Sequence, residues 1–128
     1  FAQHMEAVKI TLRDRLLAVV EEASVNGPES GAPHILNMSF PGARSEVLLH
    51  YLEQQGVYVS SGSACNSRSS KGSPILAAMG LAPEQVDSAL RFSFCRYNTV
   101  EEAEQAAEIV AAAVREIRQF TGGIRKRR

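Results

Sequence analysis

Cys65 is the residue best suited to chemistry. It lies in Ser60–Ser73, where seven of fourteen residues are serine and two are glycine. A thiol reacts as thiolate and has to reach its target. A serine- and glycine-rich stretch packs no core, so residues 60–73 read as a mobile loop with an exposed thiol. Arg68 and Lys71 follow three and six residues on, and nearby positive charge favours the thiolate. An incidental surface cysteine is the competing reading, and local composition leaves both open. Cys95 sits between Phe94 and Arg96 at a strand end, where the buried, structural reading is favoured. A Cys65–Cys95 disulfide would need the loop to fold back. Arg91 interrupts the apolar run Leu90-Arg91-Phe92. Its planar fork of donors suits a carboxylate, while strand alternation equally turns it to solvent.

Other reactive types point nowhere specific. His4, His34 and His50 have no metal-ligand spacing, so no metal site is expected. Asn37-Met38-Ser39 matches a glycosylation acceptor but falls in a predicted strand and is discounted. The three lysines, Lys9, Lys71 and Lys126, stand in no setting that would desolvate an amine. No glycine-rich phosphate cradle joins a strand to a helix.

These residues need elements to position them. Met5, Val8, Leu12, Leu16 and Val19 predict a long amphipathic helix over 3–25, ended by the breakers Asn26-Gly27-Pro28. His34–Phe40 reads as a strand closed by Pro41-Gly42. Ser45 caps a helix to about Gln55, striped by Val47, Leu48, Tyr51 and Leu52 and ended by Gly56. Val57-Tyr58-Val59 reads as a short strand before the serine loop. Pro74–Met79 suggests one or two helical turns, and Pro83 starts another short helix to Ser88. Leu90, Phe92 and Phe94 alternate with Arg91 and Ser93 in a strand over 89–94. Thr99-Val100-Glu101-Glu102 is a capping box for a helix to about Phe120, lined by Ala103, Ala106, Val110, Ala113, Val114 and Ile117. Residues 121–128 form a basic tail. Three short strands and three substantial helices make an α+β domain, best solved as a small sheet with helices on one side.

Composition supports one globular domain spanning 1–128. Hydrophobic residues are 45% and charged residues 22% of 128, enough for a core without metals or disulfides. Fourteen basic residues balance fourteen acidic ones, which argues against nucleic-acid binding. No apolar run approaches the roughly 18 residues of a membrane span, and no charged-then-apolar leader opens the chain. With only two cysteines, the expected setting is reducing and cytoplasmic. The start at Phe1, without a lead-in to the first helix, suggests a piece of a longer protein.

Four segments carry a resemblance. Val59-Ser60-Ser61-Gly62-Ser63-Ala64-Cys65-Asn66-Ser67 resembles the catalytic-cysteine segment of the cysteine desulfurases. These are pyridoxal-phosphate enzymes of the class V aminotransferase fold, and the likeness is to the NifS-like branch. Gly31–Phe40, Ile75–Leu81 and Leu90–Phe94 with Arg96-Tyr97-Asn98-Thr99 are similar, in the same order, to the family's small-domain strand, post-loop helix and substrate-carboxylate strand. The resemblance implies the C-terminal small domain of a fold-type I enzyme, with a mainly antiparallel three-stranded sheet. Residues 1–25 would be its connecting helix.

The resemblance also implies a reaction. Cys65 attacks the sulfur of L-cysteine, leaving L-alanine and a Cys65 persulfide. Sulfur then passes to an acceptor, such as an iron–sulfur scaffold or a tRNA-thiolation protein. Arg91 would bind the substrate carboxylate, with Asn98 and Asn37 near the same pocket. Pyridoxal 5′-phosphate would be held by a separate large domain of a homodimeric parent, with no cofactor residue in this chain, so the chain alone is expected to be inactive. Cys95 departs from the family, which usually has glycine there. The alternatives are a selenocysteine lyase of the same fold, a cofactor-independent persulfide carrier, and an interaction module.

Overall fold

The computed structural model describes residues 2–27, 34–56, 59–61, 83–94 and 98–121. The predicted turns at Pro74–Met79, Val57 and Tyr58 of the predicted short strand, the predicted mobile loop after Ser61, the thiols Cys65 and Cys95, and all of the basic tail after Thr121 lie outside them.

Helix α1 (Ala2–Val19) buries Met5, Val8, Leu12, Leu16 and Val20. Val20, not the expected Val19, completes the stripe, because a step of four from Leu16 keeps to one face. Val19 is 62% exposed. The helix also stops earlier than its apolar pattern suggests. The Val20 N–H still bonds the Leu16 carbonyl at 2.9 Å, and then Glu22 turns left-handed at φ 67°. That conformation costs a non-glycine residue roughly 1–2 kcal/mol. It redirects the chain so that Ser24–Val25 form strand β1.

Strands β2 (Ile35–Ser39), β3 (Ser60–Ser61) and β4 (Ala89–Ser93) complete an antiparallel sheet in the order β1-β2-β4-β3. The α+β, antiparallel arrangement is the expected one, with the two-residue β1 added at an edge. The serine run opens inside the sheet: Ser60 pairs with Arg91 and Ser61 with Leu90. Ladder bonds come from the backbone, so a two-residue edge strand needs no apolar side chains.

Register separates the two faces. Leu36 pairs with Phe92 and Met38 with Leu90, and all four are buried in the main core. Asn37 pairs with Arg91 and Ile35 with Ser93 on the opposite face. Helices α1, α2 (Ser45–Gln54) and α4 (Val100–Thr121) cover the apolar face through Leu12, Leu16, Leu48, Leu52, Val110 and Val114. Alanines at 103, 107, 111 and 113 on α4 are buried, and their small side chains allow the close approach to α1. Helix α3 (Pro83–Asp87) lies against the far face near the end of β2, where Val86 and Ala89 form a separate buried cluster.

The local signals are partly as expected. Thr99 and Glu102 form the capping box reciprocally: Glu102 N–H donates to Thr99 Oγ1 and Thr99 N–H to Glu102 Oε1, both at 3.0 Å. Gly56 follows α2 with φ 85°. Ser45, expected as a cap, is instead the first helical residue and is buried, and Arg44 holds the cap position without a side-chain cap bond. The turn Phe40–Ala43, closed by Ala43 N–H to Phe40 O at 3.0 Å, already aims the chain into the helix.

Two side chains tie the helical layer. Tyr51 donates to Glu116 Oε1 at 2.8 Å, and that bond with the carboxylate raises the phenol's pKa. Arg118 donates to the carbonyls of Pro41 and Glu21, each at 2.8 Å.

Urea unfolding should rank these contributions. Leu90→Ala is expected to cost about 3 kcal/mol, through lost burial plus a cavity. Thr99→Ala should cost about 1 kcal/mol, through a lost cap. The reverse ranking would contradict the packing described.

Candidate functional site

The face of the sheet away from the main core carries one polar row across all four strand positions. Asn26 follows β1 and continues its register, with its N–H donating to the Asn37 carbonyl at 2.8 Å. Asn37 stands opposite Arg91, and Arg91 opposite Ser60. Directly opposed side chains on one face start about 4.5–5.5 Å apart, so Asn26, Asn37, Arg91 and Ser60 are consecutive neighbours. Two side-chain bonds run along the row. Asn26 Nδ2 donates to Asn37 Oδ1 at 2.9 Å, and Arg91 Nε donates to Ser60 Oγ at 3.2 Å.

Arg91 is exposed and pairs with no carboxylate among the described residues. Its charge therefore faces outward between uncharged neighbours. A guanidinium whose terminal nitrogens bond no described residue, beside an amide, suits a carboxylate bound in two-point fashion. Both sequence readings of Arg91 meet here, since alternation puts it at solvent and the register puts Asn37 beside it.

Asn98 lies elsewhere. It precedes α4, its carbonyl bonds His4 Nε2, and its amide is 3.4 Å from Glu102 Oε1. It borders a hollow lined by Val8, Leu12, Phe92 and Ile109 on the helical side. Among the expected site residues, the structure thus brings together Asn37 and Arg91 and sets Asn98 apart. Asn26 and Ser60 join the row unannounced. Asn26 reads as a breaker beside Gly27-Pro28, and Ser60 as the first residue of a loop. The signal available was the alternation Ser24–Asn26 ahead of the break, too short to mark a strand.

Among the described residues no group of three His, Cys, Asp or Glu could hold a metal ion, and no helix is long and apolar enough to cross a membrane. Pyridoxal phosphate, implied by the resemblance, requires a lysine for its aldehyde and donors for its phosphate. Lys9 is the one lysine among the described residues. It is buried at 8% exposure on α1, in the helical layer across the sheet from Arg91. The described residues do not fit that cofactor, and the chemistry assigned to this chain runs through its own side chains.

Comparison with known proteins gives the family. The profile of the aminotransferase class-V family matches residues 1–106. The chain belongs to the aminotransferase class-V family. It is 42% identical over 114 residues to the cysteine desulfurase IscS of Edwardsiella ictaluri, a match covering 86% of this chain and 28% of that one. It is 38% identical over 126 residues to the cysteine desulfurase IscS of Photorhabdus laumondii, covering 93% and 31%. A solved NifS-like protein superposes with a TM-score of 0.75 at 29% identity, over 90% of this chain and 28% of that one. A NifS-like protein from Rickettsia africae gives 0.67 at 20% identity, over 92% and 29%, and supports the fold alone. This class-V chain therefore spans less than a third of the length of these relatives.

The row's stability should be uneven. Arg91→Gln is expected to stay within about 0.5 kcal/mol of the parent, as exposed substitutions do. Asn26→Ala should cost about 2 kcal/mol, because it strips a donor from buried polar atoms. Denaturant midpoints of the two variants check this, and equal losses would contradict it.

Proposed function

We propose that this chain is the C-terminal small domain of a cysteine desulfurase. The carrying observation is the Asn37–Arg91 row, set beside the strand that leads directly into Cys65. Support also comes from relatives at 38–42% identity that bear the name cysteine desulfurase IscS. In this reading Arg91 and the Asn37 amide hold the carboxylate of L-cysteine. Cys65 is the fourth residue after Ser61, so chain length keeps its Cα within roughly 14 Å of the end of the row's edge strand.

The Cys65 thiolate attacks the substrate sulfur and forms an S–S bond. The substrate C–S bond breaks, its electron pair stays on carbon, and a proton converts that carbon to the methyl of L-alanine. The persulfide on Cys65 then passes its outer sulfur to a thiol acceptor, of the kind that feeds iron–sulfur assembly or tRNA thiolation. Pyridoxal phosphate would be held by the remainder of a dimeric cytoplasmic enzyme and would supply an electron sink there.

The test uses the intact enzyme with cofactor bound and radiolabelled L-cysteine. Cys65→Ser should abolish protein-bound persulfide and reduce alanine formation at least about 100-fold, as loss of a covalent nucleophile does. Arg91→Ala should raise KM for L-cysteine about tenfold or more, by loss of a charge-assisted contact. Persulfide on a Cys65→Ser enzyme would overturn the proposal.

A further inference from the structure

We propose that Asn26 is a positioning residue that fixes which way the Asn37 amide points. The inference rests on the reading of Asn37 and Arg91 as a carboxylate site. It follows from a chain of donors with a single consistent direction. The Gln85 backbone carbonyl can only accept, and Ser39 Oγ donates to it. A hydroxyl has one proton, so Ser39 Oγ is left to accept from Asn26. The Asn26 atom at 2.8 Å from Ser39 Oγ is therefore the amide nitrogen. The same nitrogen lies 2.9 Å from the Asn37 amide, so the Asn37 atom facing it is the oxygen. The Asn37 NH2 group is then turned away from Asn26. It stands in the row beside Arg91, and no described residue accepts from it. Direction set by a backbone carbonyl in α3 thus emerges, three side chains later, as a donor pair aimed where an anion binds.

The relay has a cost. Ser39 is fully buried and Asn26 is 8% exposed. With both Asn26 protons committed, its Oδ1 is buried without a donor among the described residues. An orphaned buried acceptor is unfavourable, and a network serving packing alone would do better with apolar side chains of the same shape. Keeping the amide makes sense when its NH2 group sets the polarity of Asn37.

Asn26→Asp tests this, because it keeps the shape and replaces the directing NH2 by an acceptor. Asn37 must then reverse and present its oxygen to the substrate carboxylate. In the intact enzyme with cofactor bound, KM for L-cysteine should rise about tenfold, with kcat changed less than about twofold. In an Asn37→Ala background the same substitution should add nothing to KM, since the effect passes through Asn37. An unmoved KM in Asn26→Asp, or a full further rise in the Asn37→Ala background, overturns the relay. Arg91→Ala separates the two levels. If it leaves KM unmoved, the carboxylate reading itself fails. If it raises KM while Asn26→Asp does not, only the relay fails. Should Asn26→Asp not fold, Ser39→Ala releases the Asn26 amide to either orientation. Half-occupancy of the competent state predicts a KM rise of about twofold, and an unchanged KM again overturns the relay.

Discussion

The register between β2 and β4 is the constraint on which the rest depends. Pairing Leu36 with Phe92 and Met38 with Leu90 sends four apolar side chains into one core. The same pairing sends Asn37 and Arg91 to the other face. A slip of one residue would bury the guanidinium and expose the core, so the hydrophobic effect that drives the fold also assembles the polar row. Site and core are two sides of one ladder.

Asymmetry follows from that ladder. The apolar face is sealed by three helices, whose residues Leu12, Leu16, Leu48, Leu52, Val110 and Val114 are almost wholly buried. Among the described residues, the polar face is covered only near one end, by the short α3. There the buried Ser39 and Ser88 find partners in Gln85 and Phe40. Such a polar face suits binding, because the side chains on it inherit their spacing from backbone pairing.

Much of this was legible in the sequence where period and punctuation agree. The last helix shows a 3.6-residue pattern and a complete capping box, and both appear in the structure. Strand alternation around Arg91 placed it on the face opposite Leu90 and Phe92. What escaped reading has physical causes. The first helix ends at Val19, ahead of a left-handed Glu22, a conformation with no sequence signature in a glutamate. Strand β1 is two residues long, too short for alternation to register. Asn26 carries the chemistry of a turn residue and is used for its amide polarity, which depends on Ser39 and Gln85 and so on tertiary contact. Ser60 pairs through its backbone, which composition does not reveal. The thiol at Cys65 is legible only from the sequence, since it lies outside the described residues.

Arg118 ties together parts of the domain that are remote in sequence. It joins the last helix to the carbonyls of Pro41 and Glu21, across sequence separations of 77 and 97 residues. Closing such long loops demands that distant parts of the chain have already met. Both bonds therefore require the last helix, the Phe40–Ala43 turn and the end of α1 to be assembled together. Arg118 accordingly fastens the helical layer to the two chain reversals that flank β1 and β2, while the sheet register decides which side chains each layer meets.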